Sequence, residues 1–387
     1  MKSSSSVISR RSMTPPALYD KWFIFSALGL IVIGLLVMAS ASIGISDQRF
    51  HDPFFYFYRQ LIVFIVGALL GSAVIQFEVV FWKKISGFLL LAVLCLLALV
   101  LIPGIGRTVN GSTRWIGMGT FSLQISEAAK FVLIVYMAGY LVRRHDEVRQ
   151  KFSGFLKPML VISIVSVLLL REPDFGATVV IIATSLGMMF LAGMRLRDFM
   201  LLFLIISFVL ILLAISAPYR LIRLTSFLNP WQHPFDTGYQ LTQSLIAFGR
   251  GGWWGIGLGK SIQKLFYLPE AHTDFLFAVV VEELGLFGAL AIIILYSILI
   301  FRIFIIGRSA QLLGKHFAGL LAYGFGLWLA IQFVISVGVN TGLLPTKGIT
   351  LPLMSYGGNS MVVSAVMLAL LLRIDYENRF GRVISNP

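Results

Sequence analysis

Long apolar runs separated by short polar segments make up most of this chain of 387 residues. The runs suit helices that cross roughly 30 Å of hydrocarbon, and they lack the alternation of outer-membrane strands. One long polar stretch, at 217–274, interrupts the series. The pattern predicts an all-α integral membrane protein of ten transmembrane helices, with a long outer loop between helices 7 and 8. The predicted spans are about 22–43, 57–77, 85–103, 126–142, 157–171, 176–194, 199–216, 275–301, 317–338 and 357–373.

Basic residues in the short connections predict the orientation of these spans. Cytoplasmic loops are enriched in Lys and Arg, and an even number of spans returns the chain to the side on which it started. We therefore expect residues 1–20 to form a disordered cytoplasmic tail, 21–375 the membrane domain, and 376–387 a cytoplasmic C-terminal tail. The basic residues on the cytoplasmic side are Lys83, Lys84, Arg143, Arg144, Arg149, Lys151, Arg195, Arg197, Arg302, Arg308, Lys315, Arg373, Arg379 and Arg382.

Composition excludes several other classes of protein. The formal net charge of +14 could indicate nucleic-acid binding, but the basic residues are spread over loops and form no recognition motif. The single cysteine, Cys95, permits no intramolecular disulfide and no multi-cysteine metal site, and we expect it to face lipid or the core. No motif requires a cofactor, although a divalent cation could take part.

Several cations, including Arg114 and Arg250, fall on the predicted outer side, against the orientation rule. Long loops cross the membrane with little regard to charge, so these residues could simply be tolerated. Alternatively, they could bind an anionic ligand at the outer face. The sequence leaves both interpretations open.

Two ionisable side chains open the fourth predicted span. The spacing of Glu127 and Lys130 places both on one face of a helix. A buried ion pair within the helix is the structural interpretation, since charges in spans commonly pair with each other. The functional interpretation is that Lys130 also presents a cation to a ligand phosphate.

Aspartates stand at the start of two predicted spans. Asp174 follows Pro173 in a tight turn and is expected to cap the sixth span. Asp274 could cap the eighth span in the same way, but it is accompanied by His272 and Thr273 and followed by two glutamates within the span. Glu282 and Glu283 lie roughly 80° and 180° around the helix from Asp274, so the three carboxylates cannot share one face. Buried carboxylates of this kind usually find cationic partners.

Two Gly-rich outer segments allow alternative interpretations. The loop 249–261 resembles a phosphate-binding loop, but Trp254 stands where a Walker A motif needs glycine. Its indole rings suit the lipid headgroup layer, whereas packing on the bundle is the alternative. The segment 342–360 could be a re-entrant turn buried against protein, and Gly357 and Gly358 permit close approach of a helix or a ligand.

Several of these motifs together resemble the SEDS family (shape, elongation, division, sporulation), and in particular its division-type members. The matching segments are 110–116, 229–244, 267–275, 282–285 and 345–358. Ile125, Ala177 and Asn359 depart from the usual family residues, and none of these changes removes an ionisable group. The resemblance implies a ten-span enzyme of the bacterial cytoplasmic membrane that polymerises lipid II into glycan strands at the division septum.

The resemblance also assigns roles to residues. Asp274 matches the essential loop aspartate of the family, and we expect it to act as the catalytic base, while cationic side chains hold the departing pyrophosphate. The expected substrate-binding residues are Lys130, Glu127, Arg114, Arg250, Asp174, His272, Thr273, Ser355, Gly357 and Gly358.

The implied partners are a class B penicillin-binding protein transpeptidase and other division proteins. A lipid II flippase and a non-catalytic division scaffold are the alternative functions. Clustering of charges on the outer side favours catalysis over transport, whereas Glu282 and Glu283 argue for a transport path.

Overall fold

The computed structural model describes residues 18–109, 112–117, 123–150, 153–215, 226–346 and 348–384. Helices make up most of this part of the chain, and one lies at each of the ten predicted spans. They are α1 (Lys21–Phe50), α2 (Phe55–Gln76), α3 (Val79–Val100), α4 (Ile125–Arg143), α6 (Ser153–Arg171), α7 (Phe175–Leu191), α8 (Leu196–Ile215), α10 (Leu276–Leu312), α11 (His316–Asn340) and α12 (Gly358–Ile384). Two further helices, α5 (His145–Gln150) and α9 (Tyr239–Gly251), lie between them.

Eight of the ten helices are long and apolar enough to cross a membrane, which establishes a multi-pass helical protein. The shortest apolar helix, α7, has 17 residues and spans about 26 Å. Membrane crossing by α7 and α8, and therefore the exact count of ten, stays a prediction.

A small antiparallel sheet in the outer connection between α3 and α4 was not predicted. It consists of β1 (Arg107–Val109), β2 (Ser112–Ile116) and β3 (Leu123–Gln124), in the order β1, β2, β3. The strands are too short for a hydropathy pattern to reveal them. The sheet matters because β2 carries Arg114 to the end of the bundle at which the turn between α6 and α7 lies.

The end of the bundle that is predicted to face the cytoplasm includes residues on both sides of the predicted domain borders. Most of the predicted N-terminal tail lies outside the described residues, but Asp20 is buried, caps α1 and forms ion pairs with Arg302 and Arg379. At the other end, α12 continues past residue 375. Its Asp375 accepts a hydrogen bond from the Asp20 backbone N–H at 2.7 Å. These contacts join both terminal segments to the folded bundle.

The helix α10 is broken near its outer end. At Gly285 the backbone has φ +69°, and a Cβ there would lie 2.3 Å from the backbone nitrogen of Gly255. The glycine-rich loop after α9 fills this break, because its backbone N–H groups at Ile256 and Gly257 donate to the carbonyls of Glu282 and Glu283. The loop backbone thus packs on the helical bundle, which is one of the two interpretations that the sequence allowed.

The tryptophans of the same loop remain at the surface. Trp253 and Trp254 are 64% and 81% exposed, and both lie near Phe287. The described loop backbone therefore follows the bundle while its indole rings face outward, where a headgroup layer would lie. Cys95 is also exposed, which excludes packing in the core, one of its two expected environments.

Candidate functional site

The ion pair predicted at the start of α4 is present. Lys130 Nζ lies 2.7 Å from Glu127 Oε1, and both side chains are buried. Lys130 also donates to Gln332 Oε1 on α11, and its ammonium lies 5.3 Å from the centre of the Trp328 ring. Within the described part of the chain, Glu127 Oε2 has no hydrogen-bond partner. Within the described residues, this carboxylate oxygen of Glu127 therefore remains available to accept a hydrogen bond.

Arg114 reaches from β2 to the turn between α6 and α7. Its guanidinium donates to the carbonyl oxygens of Glu172 and Pro173 at 3.3 and 2.8 Å, and lies 3.7 Å from Asp174 Oδ2. The other carboxylate oxygen, Asp174 Oδ1, accepts from the Ala177 backbone N–H at 3.0 Å. Asp174 thus caps α7, as expected, and also forms an ion pair with Arg114.

Asp274 does not cap α10. The helix begins after Phe275, and its start has no hydrogen bond from a side chain. Asp274 is half-buried, and its backbone carbonyl accepts from Asn340 Nδ2 at 3.0 Å. Burial, followed by the nearby Glu270 carboxylate, raises the pKa of Asp274 from 3.8 to about 7, against the opposing effect of the Arg114 guanidinium. A carboxyl group with this pKa can exchange a proton near neutral pH.

Residues 348–350 bring these groups together. A Cβ on Gly348 would lie 3.0 Å from Asp274 Oδ2, and the Ile349 side chain packs where a Cβ on Gly176 would be, beside the Asp174 cap. The Thr350 carbonyl accepts from Gln332 Nε2 at 3.1 Å, and the same amide binds Lys130 through its oxygen. We call Glu127, Lys130, Arg114, Asp174 and Asp274 the rim cluster.

The sequence did not identify Gln332 and Asn340 as members of the site. Each is fully or almost fully buried and uses its side-chain amide to join two elements of the outer rim. Both are amides in or at the end of a long apolar run, where an unpaired polar group is costly. The sequence signal that could have identified these two residues is a single amide side chain within an apolar span.

The predicted residues around His272 stabilise the segment before α12. The backbone carbonyl of His272 accepts a hydrogen bond from the Tyr356 N–H at 2.9 Å. The imidazole ring of His272 packs on the rings of Tyr56 and Tyr356. Burial lowers the pKa of His272, against the opposing effect of the Glu270 carboxylate and with a smaller contribution from Arg49 in the same direction as burial. Thr273 Oγ1 donates to Glu270.

Residues 355–358 lie next to α2. Ser355 Oγ accepts from the Leu351 N–H, and Gln60 on α2 donates to the Ser355 carbonyl. Much of the segment before α12 is buried, as a re-entrant turn requires. Added Cβ atoms on Gly357 and Gly358 would meet neighbours at 3.5 and 3.7 Å, which is ordinary contact and demands no glycine.

Arg250 lies in a second group of charges. It forms an ion pair at 3.6 Å with Glu282, which is fully buried and therefore needs a cation. Its expected contact with a substrate stays a prediction. Glu283 pairs with Lys264 at 2.9 Å and accepts from Ser40 Oγ at 2.7 Å. The predicted cationic partners of both glutamates are thus present.

Backbone and hydroxyl groups complete this second group. Glu282 accepts from Ser261 Oγ and from the N–H groups of Ile262 and Gln263, and Glu283 accepts from the N–H of Ser261. We call Glu282, Glu283, Lys264, Ser261 and Ser40 the break cluster, because they surround the interruption of α10.

The chain resembles proteins of known family along most of its length. The family model described as cell cycle protein, for FtsW, RodA and SpoVE, matches residues 21–380. The chain is 56% identical over 96% of its length to a probable peptidoglycan glycosyltransferase FtsW of Legionella pneumophila, of which the match covers 95%. A protein of the same name from Coxiella burnetii is 55% identical over 93% of this chain and 96% of its own.

Solved structures show the same fold. A chain from a peptidoglycan synthase complex that coordinates polymerization and crosslinking superimposes with a TM-score of 0.76 at 27% identity, covering 94% of this chain and 98% of that one. The rod shape determining protein RodA of Thermus thermophilus superimposes with a TM-score of 0.70 at 27% identity and the same coverage. These relatives and the membrane-spanning helices indicate a multi-pass protein of the bacterial inner membrane. The chain belongs to the FtsW, RodA and SpoVE family of cell cycle proteins, which confirms the SEDS resemblance.

Proposed function

We propose that this protein is a peptidoglycan glycosyltransferase that polymerises lipid II into glycan strands at the outer face of the membrane. The observation that carries the proposal is a half-buried carboxyl group, Asp274, whose pKa of about 7 suits a general base, at a rim that also holds Arg114. The names of the relatives support the same reaction.

In the proposed reaction, a sugar 4-hydroxyl attacks the anomeric carbon of a second, lipid-linked sugar. The new bond forms between this oxygen and the anomeric carbon, while the bond to the lipid pyrophosphate breaks and its electron pair leaves with the phosphate. Asp274 accepts the hydroxyl proton, and catalysis of this kind typically contributes about 10²–10⁴ in rate.

The cations of the rim cluster, Lys130 and Arg114, are suited to stabilise the negative charge of the departing pyrophosphate. An ammonium group has three N–H donors, and within the described residues two of those on Lys130 are used, by Glu127 and Gln332. Arg114 is partly exposed and lies beside one carboxylate, Asp174. Both cations could bind the pyrophosphate in a site that excludes much of the water, where electrostatic stabilisation is strongest. A divalent cation that shares this task stays a prediction.

A membrane-embedded enzyme suits the substrate, whose polyprenyl tail stays in lipid while its head reaches the rim. We further propose that the protein acts at the division septum with both termini in the cytoplasm, and with a class B penicillin-binding protein and other division proteins as partners. The similarity to a synthase complex that coordinates polymerization and crosslinking supports such a partner.

The alternative, lipid II transport, loses its main support. Glu282 and Glu283 suggested a polar path through the span, but both carboxylates bind cations and N–H groups of the outer loop. A flippase would move lipid II in sealed vesicles without forming polymer.

The test is polymerisation of labelled lipid II by the purified protein, alone and with a class B penicillin-binding protein. We expect polymer from the wild type and loss of polymer from Asp274→Asn. The matched control is Asp52→Asn on the same predicted face, because the contact of this carboxylate among the described residues is a hydrogen bond from the Phe54 N–H. Full activity of Asp274→Asn would remove Asp274 from the mechanism, and lipid movement without polymer would favour the flippase.

A further inference from the structure

One buried carboxyl group next to the rim cluster has no role in the proposed mechanism. Glu172 is 0% exposed, and neither of its carboxyl oxygens has a hydrogen-bond partner within the described part of the chain. Such a group is costly in ionised form, because burial removes its hydration without compensation. It lies in the turn between α6 and α7, two residues before Asp174.

The surroundings of Glu172 contain charges of both signs. Its backbone carbonyl accepts from Arg114 Nε at 3.3 Å, so the residue directly supports the guanidinium. Burial, and then the Asp174 carboxylate, raise the pKa of Glu172 to about 8, while the Arg114 guanidinium lowers it. The same guanidinium also acts on the carboxyl group of Asp274, in the segment before α10, and lowers its pKa. Burial without a hydrogen-bond partner within the described residues therefore favours the neutral form of Glu172.

We propose that Glu172 is a positioning residue that keeps Arg114 available to an anionic ligand by remaining uncharged beside it. This inference rests on the proposed function, because the ligand it names is the pyrophosphate of the lipid substrate. With Glu172 neutral, the charges of Arg114 and Asp174 cancel. Ionisation of Glu172 gives the three side chains a net charge of −1, and the pyrophosphate then meets repulsion.

The expected effect appears in the pH dependence of substrate affinity. Between pH 7 and pH 9 the KM of the wild type for lipid II should rise roughly tenfold, since one added negative charge near the bound anion costs about one pK unit of binding. In Glu172→Gln, which keeps the shape and cannot ionise, this rise should largely disappear. The control Glu377→Gln, a carboxylate that binds Arg373 at the cytoplasmic end, should retain the wild-type rise.

An infrared measurement tests the charge state without requiring activity. A protonated carboxylic acid band that titrates near pH 8 should be present in the wild type and absent in Glu172→Gln, whereas the band of Asp274, which titrates near pH 7, should remain in both. Absence of the Glu172 band from the wild type, or an equal rise of KM in wild type and Glu172→Gln, would overturn the proposal. If the band is present but no polymer forms from lipid II under any condition, the proposed function fails; binding of the lipid substrate measured at pH 7 and pH 9 then decides the role of Glu172.

Discussion

Two clusters of charged residues in this bundle differ in how completely their carboxyl groups are paired. In the break cluster, Glu282 and Glu283 accept hydrogen bonds on all four oxygens. In the rim cluster, Glu127 Oε2 has no partner within the described residues, and Asp274 does not cap the helix it precedes. Fully paired charges hold an irregular backbone in place, whereas incompletely paired charges remain available to a ligand or a proton.

The structures of the two clusters explain this difference. The break cluster closes the gap at Gly285, where the helix loses its own hydrogen bonds, so its glutamates bind N–H groups of the neighbouring loop. The rim cluster is assembled from side chains of β2, α4, the α6–α7 turn and the segment before α10. Its members lie around residues 348–350, and Asp174 accepts a hydrogen bond from a backbone N–H.

The largest effect is expected from replacing the buried pair of the rim cluster by isosteres. The double variant Glu127→Gln, Lys130→Met removes both charges, and such replacement of a buried ion pair is often neutral for stability. Polymerisation of lipid II should fall by about 10²–10³, since one cation for the departing charge is lost. Thermal unfolding in detergent and the polymerisation assay measure the two quantities. A stable double variant with normal activity would reduce the pair to a structural role.

The break cluster should respond in the opposite way. Glu283→Ala leaves Lys264 buried without its carboxylate and should lower the free energy of unfolding by about 3–5 kcal/mol. The double variant Glu283→Gln, Lys264→Met should recover most of this stability and retain polymerisation. Denaturant unfolding of both variants checks the first expectation. Loss of activity from the stable double variant would show that the two clusters share one function.

The pH dependence of polymerisation should also distinguish the rim cluster from the break cluster, although the change in rate is smaller than that expected from the variants above. Asp274 acts as a base only when ionised, so with a pKa of about 7 the polymerisation rate should fall about tenfold for each pH unit below 6. Glu283→Gln, Lys264→Met should keep the same acidic limb, because it leaves the surroundings of Asp274 intact. A rate that stays constant from pH 7 to pH 5 would contradict the assignment of the base.

The raised pKa of Asp274 also makes the free energy of unfolding depend on pH. Folding raises the pKa of Asp274 from 3.8 to about 7, so the folded state binds its proton more tightly than the unfolded state does. The contribution of Asp274 to the free energy of unfolding is therefore greatest at low pH, and it decreases as the pH rises towards 7. Asp274→Asn should remove this contribution, which can be checked by unfolding at pH 5 and pH 7.

Some features of the site were predictable because they depend on local spacing. Glu127 and Lys130 lie three residues apart in a helix and pair for that reason alone. Asp174 caps α7 because it directly precedes that helix. The positions of the ten apolar helices follow from hydropathy in the same way, since a span needs only a sufficient length of apolar residues.

Contacts between distant segments decided the rest. Arg250 forms an ion pair with the buried Glu282, a pairing that the sequence did not specify, and its expected contact with the substrate stays a prediction. Gln332 and Asn340 join the rim only because residues 348–350 and Asp274 fold onto α11. The sheet that carries Arg114 is too short to leave a pattern in the sequence.

The amino-acid sequence by itself determined the helical membrane architecture, the family and the identities of most charged groups at the rim, because hydropathy, motif and short-range spacing are local properties. Only the tertiary structure decided which carboxyl groups are paired and which are left with unusual pKa values. The physical reason is that burial and the nearest charge come from segments far apart in the chain. Glu172 and Glu282, both acidic and both buried, differ only in the neighbours that the fold supplies.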